Sequence, residues 1–309
     1  MHIPVMLNEC LEALITDPKG IYVDGTLGNG GHSTAIFDRL EAGGLLIGFD
    51  RDLDAIERVK GTLKSEQGKR VELVHDNYAN MADRLDRLGV DRIDGLLLDL
   101  GVSSFQLDIA DRGFSFMQDA PIDMRMDQTQ GQTAAELVNT ASEQELADII
   151  YRYGEDRASR RIARAIVDAR AKMTIETTGQ LAGIVERAKG GRKGRKTHPA
   201  TQTFQALRMA VNDELAGIEQ VLETMVGRMK PGGRMAVLTF HSLEDRLVKQ
   251  FFGRHVPREE SLQQGGVRRI YEAPPVEWIW KKPLVATAAE QAANPRSRSA
   301  KLRAVETGE

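Results

Sequence analysis

Over the first hundred residues, short, mostly apolar runs alternate with stretches of helical spacing. Ile21-Tyr-Val-Asp24, Leu45-Leu-Ile-Gly-Phe49, Val71-Glu-Leu-Val74 and Ile93-Asp-Gly-Leu-Leu-Leu98 are four such runs. Continuous apolar runs suit strands buried on both faces. Their alternation with helical patterns predicts a parallel α/β sheet. Leu53 to Leu63, for example, places Ala55, Ile56, Val59 and Leu63 on one helical face. The pattern then changes, and from about Asp108 to Thr197 no strand run appears. Ser142-x-x-Glu145 is a capping box opening a helix through Leu146, Ile149 and Ile150. Arg157 to Ala171 and Thr178 to Ala188 read as two more helices, and Thr203 to Arg228 as another, broken near Asn212. Pro231-Gly232-Gly233 reads as a turn before a fifth strand, Arg234 to Phe240. Val276 to Val285 and Ala300 to Val305 predict the last two strands, giving a mostly parallel sheet of seven. The expected division is a sheet domain at 1–107 and 205–309, with an inserted helical domain at 108–204.

Bulk properties narrow the class. A chain of 309 residues with 41% hydrophobic content can build a packed core. Its formal net charge is −3, so nucleic-acid contacts must come from local basic patches. The single cysteine, Cys10, gives no disulfide framework and no multi-cysteine metal site, which points to a reducing compartment. Met1 to Asp17 carries Glu9, Glu12 and Asp17 and lacks a basic leader, so it reads as an amphipathic helix and not a signal peptide. No apolar run approaches the ~20 residues of a membrane span. These features predict a soluble cytoplasmic protein without membrane association.

The chemistry begins at Tyr22-Val-Asp24-Gly-Thr-Leu-Gly28-Asn-Gly30-Gly31-His32, where a strand runs into a glycine-rich turn and then a helix. Backbone approaches a ligand closely only where side chains are missing. A phosphate-binding P-loop would need Gly-x-x-x-x-Gly-Lys-Ser/Thr, which this turn lacks. A dinucleotide fingerprint fits Gly28 and Gly30 but meets Ser33 at its third glycine. An S-adenosylmethionine turn fits Asp24-x-x-x-Gly28-x-Gly30, with Thr26 where a further glycine often sits.

In open parallel sheets, ligands lie beyond the carboxyl ends of the strands. Here the first four strands end in Asp24, Asp50, Asp76-Asn77-Tyr78 and Asp99. A carboxylate at Asp50 can accept both ribose hydroxyls and would repel a ribose 2′-phosphate. The adenine would lie beside Tyr78, and the reacting groups would meet at Asp99. A single strand-end carboxylate can be only a helix cap, but four together point to a nucleoside cofactor.

Longer strings carry a resemblance. Asp99-Leu-Gly-Val-Ser-Ser-Phe-Gln106-Leu-Asp stands with Arg112-Gly-Phe-Ser-Phe, Asp123-Met-Arg-Met-Asp127 and His198-Pro-Ala-Thr-Gln-Thr-Phe-Gln-Ala-Leu-Arg208. Val211-Asn-Asp-Glu-Leu215, Thr239-Phe-His-Ser-Leu-Glu-Asp245, Asn294-Pro-Arg-Ser-Arg-Ser-Ala-Lys-Leu-Arg303 and the opening His2-Ile-Pro-Val-Met complete the set. Over nearly its whole length the chain resembles the bacterial ribosomal RNA small-subunit methyltransferase H family, also called MraW. The resemblance implies a class I, Rossmann-like methyltransferase fold whose helical insertion recognises substrate. It implies methylation of the exocyclic N4 of a cytidine in the decoding region of 16S rRNA, with S-adenosylmethionine as cofactor. It also implies that Gly30, Gly31, His32, Asp50, Tyr78, Asp99 and Gln106 line the cofactor site, and it is compatible with a homodimer. Two positions depart from the family pattern: Phe105 replaces a usual proline, and Gln202 stands where a basic residue is common.

Methyl transfer to an amine is an in-line displacement with a neutral thioether leaving, so no metal site is expected. A cytosine amino group is a poor nucleophile because its lone pair is delocalised into the ring. Asp99 is the expected catalytic carboxylate, accepting a hydrogen bond from N4. Other amino-methyltransferases place an aromatic soon after this position. Phe105, Phe114 or Phe116 could supply that stack here, against the reading that each ring is simply core. Two basic stretches, Arg187 to Lys196 and Arg296 to Arg303, are candidates for phosphate contact, against the reading of solvated surface. His241-Ser242 with Asp245 lacks a nucleophile elbow and reads as a loop after the fifth strand. Two other function classes stay open at this point: a nicotinamide-dependent oxidoreductase, and a non-catalytic ribosome-assembly factor that retains a cofactor pocket.

Overall fold

A computed structural model of the chain describes residues 4–192, 194, 197–261 and 267–308. It divides into two compact units, Met1–Gly101 with Leu215–Glu309, and Val102–Glu214. The strands are β1 (Ile21–Asp24), β2 (Leu45–Asp50), β3 (Arg70–His75), β4 (Ile93–Asp99), β5 (Met229–Thr239), β6 (Arg258–Ser261), β7 (Val267–Ile270), β8 (Val276–Trp278), β9 (Leu284–Val285) and β10 (Lys301–Thr307). The helices are α1 (Leu7–Leu14), α2 (Gly31–Arg39), α3 (Leu53–Lys60), α4 (Met81–Arg87), α5 (Ser104–Asp108), α6 (Ala134–Thr140) and α7 (Glu143–Gly154). They continue as α8 (Ser159–Arg170), α9 (Thr178–Ala188), α10 (Thr201–Val211), α11 (Glu214–Val226), α12 (Ser242–His255) and α13 (Ala288–Ala293).

In the first unit the sheet runs β3-β2-β1-β4-β5-β10-β8. Strands β1 to β5 pair in parallel and β10 is antiparallel to β5. Successive side chains of a strand point to opposite faces, and both faces here are covered. Val23, Ile47, Phe49, Leu96 and Leu98 enter one core with α4, α11 and α12. Tyr22, Leu46, Leu97, Ala236 and Leu238 enter the other with α1, α2 and α3. That two-sided burial is why β1, β2 and β4 read as largely apolar runs, whereas the edge strand β3 is exposed or half-buried. From β1 the chain moves outward to β2 and β3, then returns to place β4 on the other side of β1. The reversal of strand order between β1 and β4 makes their carboxyl ends the expected ligand crevice.

Three expectations need correction. The sheet has eight strands, because the two-residue β9 pairs with β10 beside the seven in line. The segment expected as one strand from Val276 to Val285 is therefore two short strands, β8 and β9, both laid on β10. Strand β5 begins at Met229, before the Pro231-Gly232-Gly233 stretch. That stretch is a bulge within the strand: the register jumps from Ile93↔Met229 to Gly95↔Arg234, and Gly232 takes φ 73°. An inserted loop of this kind interrupts a ladder without ending it.

The second unit is helical. Capping boxes open α6 (Thr133 with Glu136), α7 (Ser142 with Glu145) and α9 (Thr177 with Gln180). Its core gathers Val138, Leu146, Ile150, Ile162, Ile166, Leu181, Val185, Phe204 and Leu207. Helix α10 lies wholly within this unit, whereas a boundary at 204/205 would cut it. The break near Asn212 is real: Asp213 takes φ 48°, and the Asn212 side chain donates to the Met124 carbonyl at 2.7 Å and accepts from Met126 N at 2.8 Å. Among the described residues no helix is long and apolar enough to cross a membrane, and no cluster of His, Cys, Asp and Glu could hold a metal ion.

Candidate cofactor and active site

The turn after β1 is built from its carboxylate outward. Asp24 is buried, and both its oxygens are used: Ser33 Oγ donates to Oδ2 at 2.6 Å and Thr26 N to Oδ1 at 3.0 Å. Burial pushes the Asp24 carboxyl above the ordinary range, with the Ser33 hydrogen bond opposing it. Asp24 thus braces the turn from behind. In front, Gly30 takes φ 76° at the start of α2. A Cβ there would stand 2.8 Å from Val59 Cγ2, and one on Gly31 would stand 2.4 Å from Pro4 Cγ. Neither position can carry a side chain without displacing a neighbour, so the start of α2 packs closely against Val59 and Pro4. Gly28 takes φ 53°, and its N–H donates to Asp50 Oδ2 at 2.8 Å. The turn is thereby tied to the end of β2.

Asp50 also accepts from Asp52 N, through Oδ1 at 2.8 Å. Each carboxylate oxygen has two lone pairs, so each keeps one for a further donor. Part of the residue reaches solvent, yet the carboxyl is densely surrounded by protein. Burial raises it to about 6, against the hydrogen bonds from Asp52 and Gly28. Two acceptor oxygens held by backbone at a strand end match a ribose diol.

At the end of β3, Asp76 is consumed internally. It accepts from Asn77 N at 2.7 Å and Asn80 Nδ2 at 2.8 Å, and it pairs with Arg84. Burial works against its charge, but the bonds from Asn80 and Arg84 outweigh that and hold the carboxyl low. Tyr78 opens a short 3₁₀ turn capped by Asn77. Its Cβ lies 3.5 Å from the position a Gly25 Cβ would take, and its ring edge lies 3.2 Å from that of Gly217. The two glycines seat the ring beside the β1 turn.

Asp99 ends β4. Its backbone N–H donates to Thr26 Oγ1 at 2.6 Å, and that hydroxyl stands 3.4 Å from Asp24 Oδ1. Thr26, which the sequence offers only as a departure from a glycine, is the link between the ends of β1 and β4. Asp99 Oδ2 lies 3.4 Å from His32 Nδ1. Asp99 Oδ1 is buried and has no hydrogen-bond partner among the described residues. A buried acceptor without a donor costs about 1–3 kcal/mol, and in a crevice it marks where a ligand donor belongs. The structure therefore brings together Asp24, Gly28, Gly30, Gly31, His32, Asp50, Tyr78 and Asp99 in the first unit.

Gln106 belongs to the second unit. It is buried and completes the capping box of α5, where its Oε1 accepts from Ser103 N at 3.1 Å. Of the three candidate aromatics, Phe114 is buried in the helical core. Phe116 packs on His198 and Phe204, with centroids 4.4 and 4.7 Å away. Phe105 is half-buried. The basic stretches lose members to ion pairs. Lys189 is buried, donating to Asp156 at 2.5 Å and to Gln202 Oε1 at 3.2 Å. Arg192 pairs with Glu186 at 3.0 Å. Lys193, Arg195 and Lys196 lie outside the described residues. In the first unit, Arg303 and Lys301 both donate to Asp245, at 2.7 and 2.9 Å, while Arg296 and Arg298 are exposed. His241 and Glu244 form a capping box at the start of α12. The His-Ser-Asp string is therefore a helix start and a charge anchor.

A doubly wound sheet with a glycine turn after β1, a carboxylate held by backbone donors after β2 and a carboxylate with one buried oxygen lacking a donor among the described residues after β4 defines the Rossmann-like, class I methyltransferase type. The chain belongs to the MraW methylase family, whose model matches residues 1–308. Proteins named ribosomal RNA small subunit methyltransferase H are similar to it along their length. One from Nitratidesulfovibrio vulgaris is 51% identical over 314 residues, covering 99% of this chain and 85% of that protein. Another from Geotalea uraniireducens is 51% identical over 313 residues, covering 99% and 98%. A third from Symbiobacterium thermophilum is 50% identical over 305 residues, covering 98% and 96%.

Proposed function

We infer that this protein transfers a methyl group from S-adenosylmethionine to small-subunit ribosomal RNA, and that the acceptor is the exocyclic N4 of a cytidine in the decoding region of 16S rRNA. Membership of the methylase family supports the reaction class. The observation that carries the chemistry is Asp99, held at the strand-order reversal with one oxygen lacking a donor.

The residues present fit the cofactor. The turn carries no side chain at Gly28, Gly30 and Gly31, Asp50 keeps lone pairs for a diol, and Tyr78 lies beside Gly25 of the turn. We assign cofactor binding to these residues with His32, Asp99 and Gln106, the last on the family pattern. Asp24 acts by bracing the turn. When bound, S-adenosylmethionine supplies a methyl group made electrophilic by its sulfonium. Asp99 accepts a hydrogen bond from N4–H, which favours a tetrahedral nitrogen with an available lone pair, and it receives the proton as the new N–C bond forms. Holding amine and methyl in line contributes the larger share of the rate.

We place the protein in the cytoplasm, with the small ribosomal subunit as partner and the helical unit as the part that recognises it. A homodimer is compatible with this reading, and light scattering tests it. The deciding experiment is transfer of tritiated methyl to unmodified small subunits and to naked rRNA, followed by nucleoside analysis. N4-methylcytidine is the expected product. A methylated protein or another methylated base would overturn the assignment. If Asp99 chiefly binds the methionine ammonium, Asp99→Ala will raise the cofactor KM with kcat little changed.

A further inference from the structure

His32 is 6% exposed, and both of its ring nitrogens face acceptors. Nδ1 lies 3.4 Å from Asp99 Oδ2, and Nε2 lies 3.1 Å from the Val5 carbonyl oxygen. A neutral imidazole has one N–H, so either tautomer leaves one acceptor facing a lone pair, whereas an imidazolium serves both. We propose that His32 is an imidazolium clamped between the Asp99 carboxylate and the Val5 carbonyl, and that it acts as a positioning residue which fixes Asp99 with Oδ1 turned to the donor it must meet.

The surroundings support this. The root of Asp99 is pinned separately, by its N–H to Thr26 Oγ1. With Oδ2 held by His32, rotation of the carboxyl group is restricted, and Oδ1 is left as the oxygen without a partner among the described residues. Three ionisable groups face the ring: Asp99 from β4, Cys10 from α1, and Asp24 from β1, with Glu9 of α1 acting on Cys10. Burial lifts the Cys10 thiol, which keeps it neutral beside the ring. Burial also opposes charge on His32, but the hydrogen bonds to Asp99 and Cys10 outweigh it and raise the imidazole well above its ordinary value. His32 sits in the first turn of α2, where the helix dipole disfavours a cation. The ion pair with Asp99 at 3.4 Å and the Val5 carbonyl at 3.1 Å set a full negative charge and an acceptor against that partial-charge effect.

The inference rests on Asp99 being the reacting carboxylate, and two kinds of readout keep the two claims apart. The first is nitrogen NMR of the whole protein labelled at histidine, with His32→Gln used to assign the ring. Both His32 nitrogens are expected to remain protonated at neutral pH and to lose the proton only well above the ordinary imidazole range. A single neutral tautomer at neutral pH would overturn the clamp, whatever the activity. The second is steady-state transfer to unmodified small subunits by His32→Gln and His32→Asn. A drop in kcat of about tenfold to a hundredfold is expected, larger than the accompanying loss of S-adenosylhomocysteine affinity by calorimetry. The alkaline limb of the wild-type kcat profile should be missing in both variants. Loss of S-adenosylhomocysteine affinity with kcat preserved would instead make His32 only a cofactor-holding residue. If Asp99→Ala keeps full turnover while the NMR signature stands, the clamp survives and the role given to Asp99 fails.

Discussion

The ends of β1 and β4 invite comparison because they are neighbouring parallel strands that finish in the same residue. Asp24 and Asp99 are joined through one threonine hydroxyl, yet their surroundings differ. Both carboxylate oxygens of Asp24 are hydrogen-bonded, one to Thr26 in its own turn and one to Ser33 of α2, and the residue is buried. Asp99 keeps about a quarter of its side chain exposed (26%), has a histidine on one oxygen and, among the described residues, no partner on the other. A strand-end carboxylate announces a ligand crevice, but hydrogen-bond satisfaction decides which carboxylate is scaffold and which can act. Asp50 stands between these extremes, with one backbone donor on each oxygen and capacity for two more.

The largest contrast should come from truncating each carboxylate. Asp99→Ala is expected to retain the fold by circular dichroism while losing about a hundredfold or more in kcat, the usual contribution of a positioned acid–base group. Unchanged kcat at saturating RNA would erase the distinction drawn here. Asp24→Ala should do the reverse. It strands Ser33 Oγ and Thr26 N in a buried turn, so urea denaturation should show a loss of about 1–3 kcal/mol. A neutral effect on stability would mean the turn does not depend on its brace.

Asp50 gives an effect of intermediate size with a defined sign. Its carboxyl is raised to about 6 in the folded protein. Folding stability from this group is therefore greatest below the unfolded carboxylate value and is lost as pH rises through about 6. Ligand hydroxyls favour the ionised form, so S-adenosylhomocysteine should bind more weakly as pH falls through about 6, approaching tenfold per pH unit below it. Calorimetry in buffers of different ionisation enthalpy should show proton release on binding near that pH. Proton uptake or a flat profile would remove Asp50 from the diol.

The smallest effect should fall on the link between the two ends. Thr26→Val removes the acceptor for the Asp99 N–H and is expected to cost about 1 kcal/mol in stability. It should also lower kcat severalfold, because Asp99 loses its anchor. An effect confined to stability would mean that Asp99 is positioned by β4 alone.

Much of this was legible in the residues. Strands β1, β2 and β4 announced themselves because both their faces are buried, whereas the edge strand β3 is exposed or half-buried throughout, and the capping boxes of the helical unit carry their own signature, as at Ser142 and Glu145. The glycine turn and the strand-end carboxylates pointed to the carboxyl ends of β1, β2 and β4, where the structure places Gly28, Asp50 and Asp99. What sequence could not separate was the use made of each side chain. Asp76 looks like a site residue until Arg84 and Asn80 are seen to occupy it. Lys189 looks like a surface cation until Asp156 and Gln202 enclose it. Arg303 and Lys301 look like phosphate ligands until both meet Asp245. These partners lie from a few to tens of residues away in sequence and come together only through packing. Short strands such as β9, held by an existing edge and not by their own pattern, were illegible for the same reason.

The central claim is that the unsatisfied carboxylate after β4, and not its satisfied counterpart after β1, carries methyl transfer to small-subunit rRNA. Tritiated methyl incorporation into unmodified small subunits, compared for the wild-type protein, Asp99→Ala and folded Asp24→Ala at equal concentration, tests it most directly. The expected result is N4-methylcytidine from the wild type, product near background from Asp99→Ala, and substantial product from the folded fraction of Asp24→Ala. Full incorporation by Asp99→Ala, or a methylated nucleoside other than N4-methylcytidine, would contradict it.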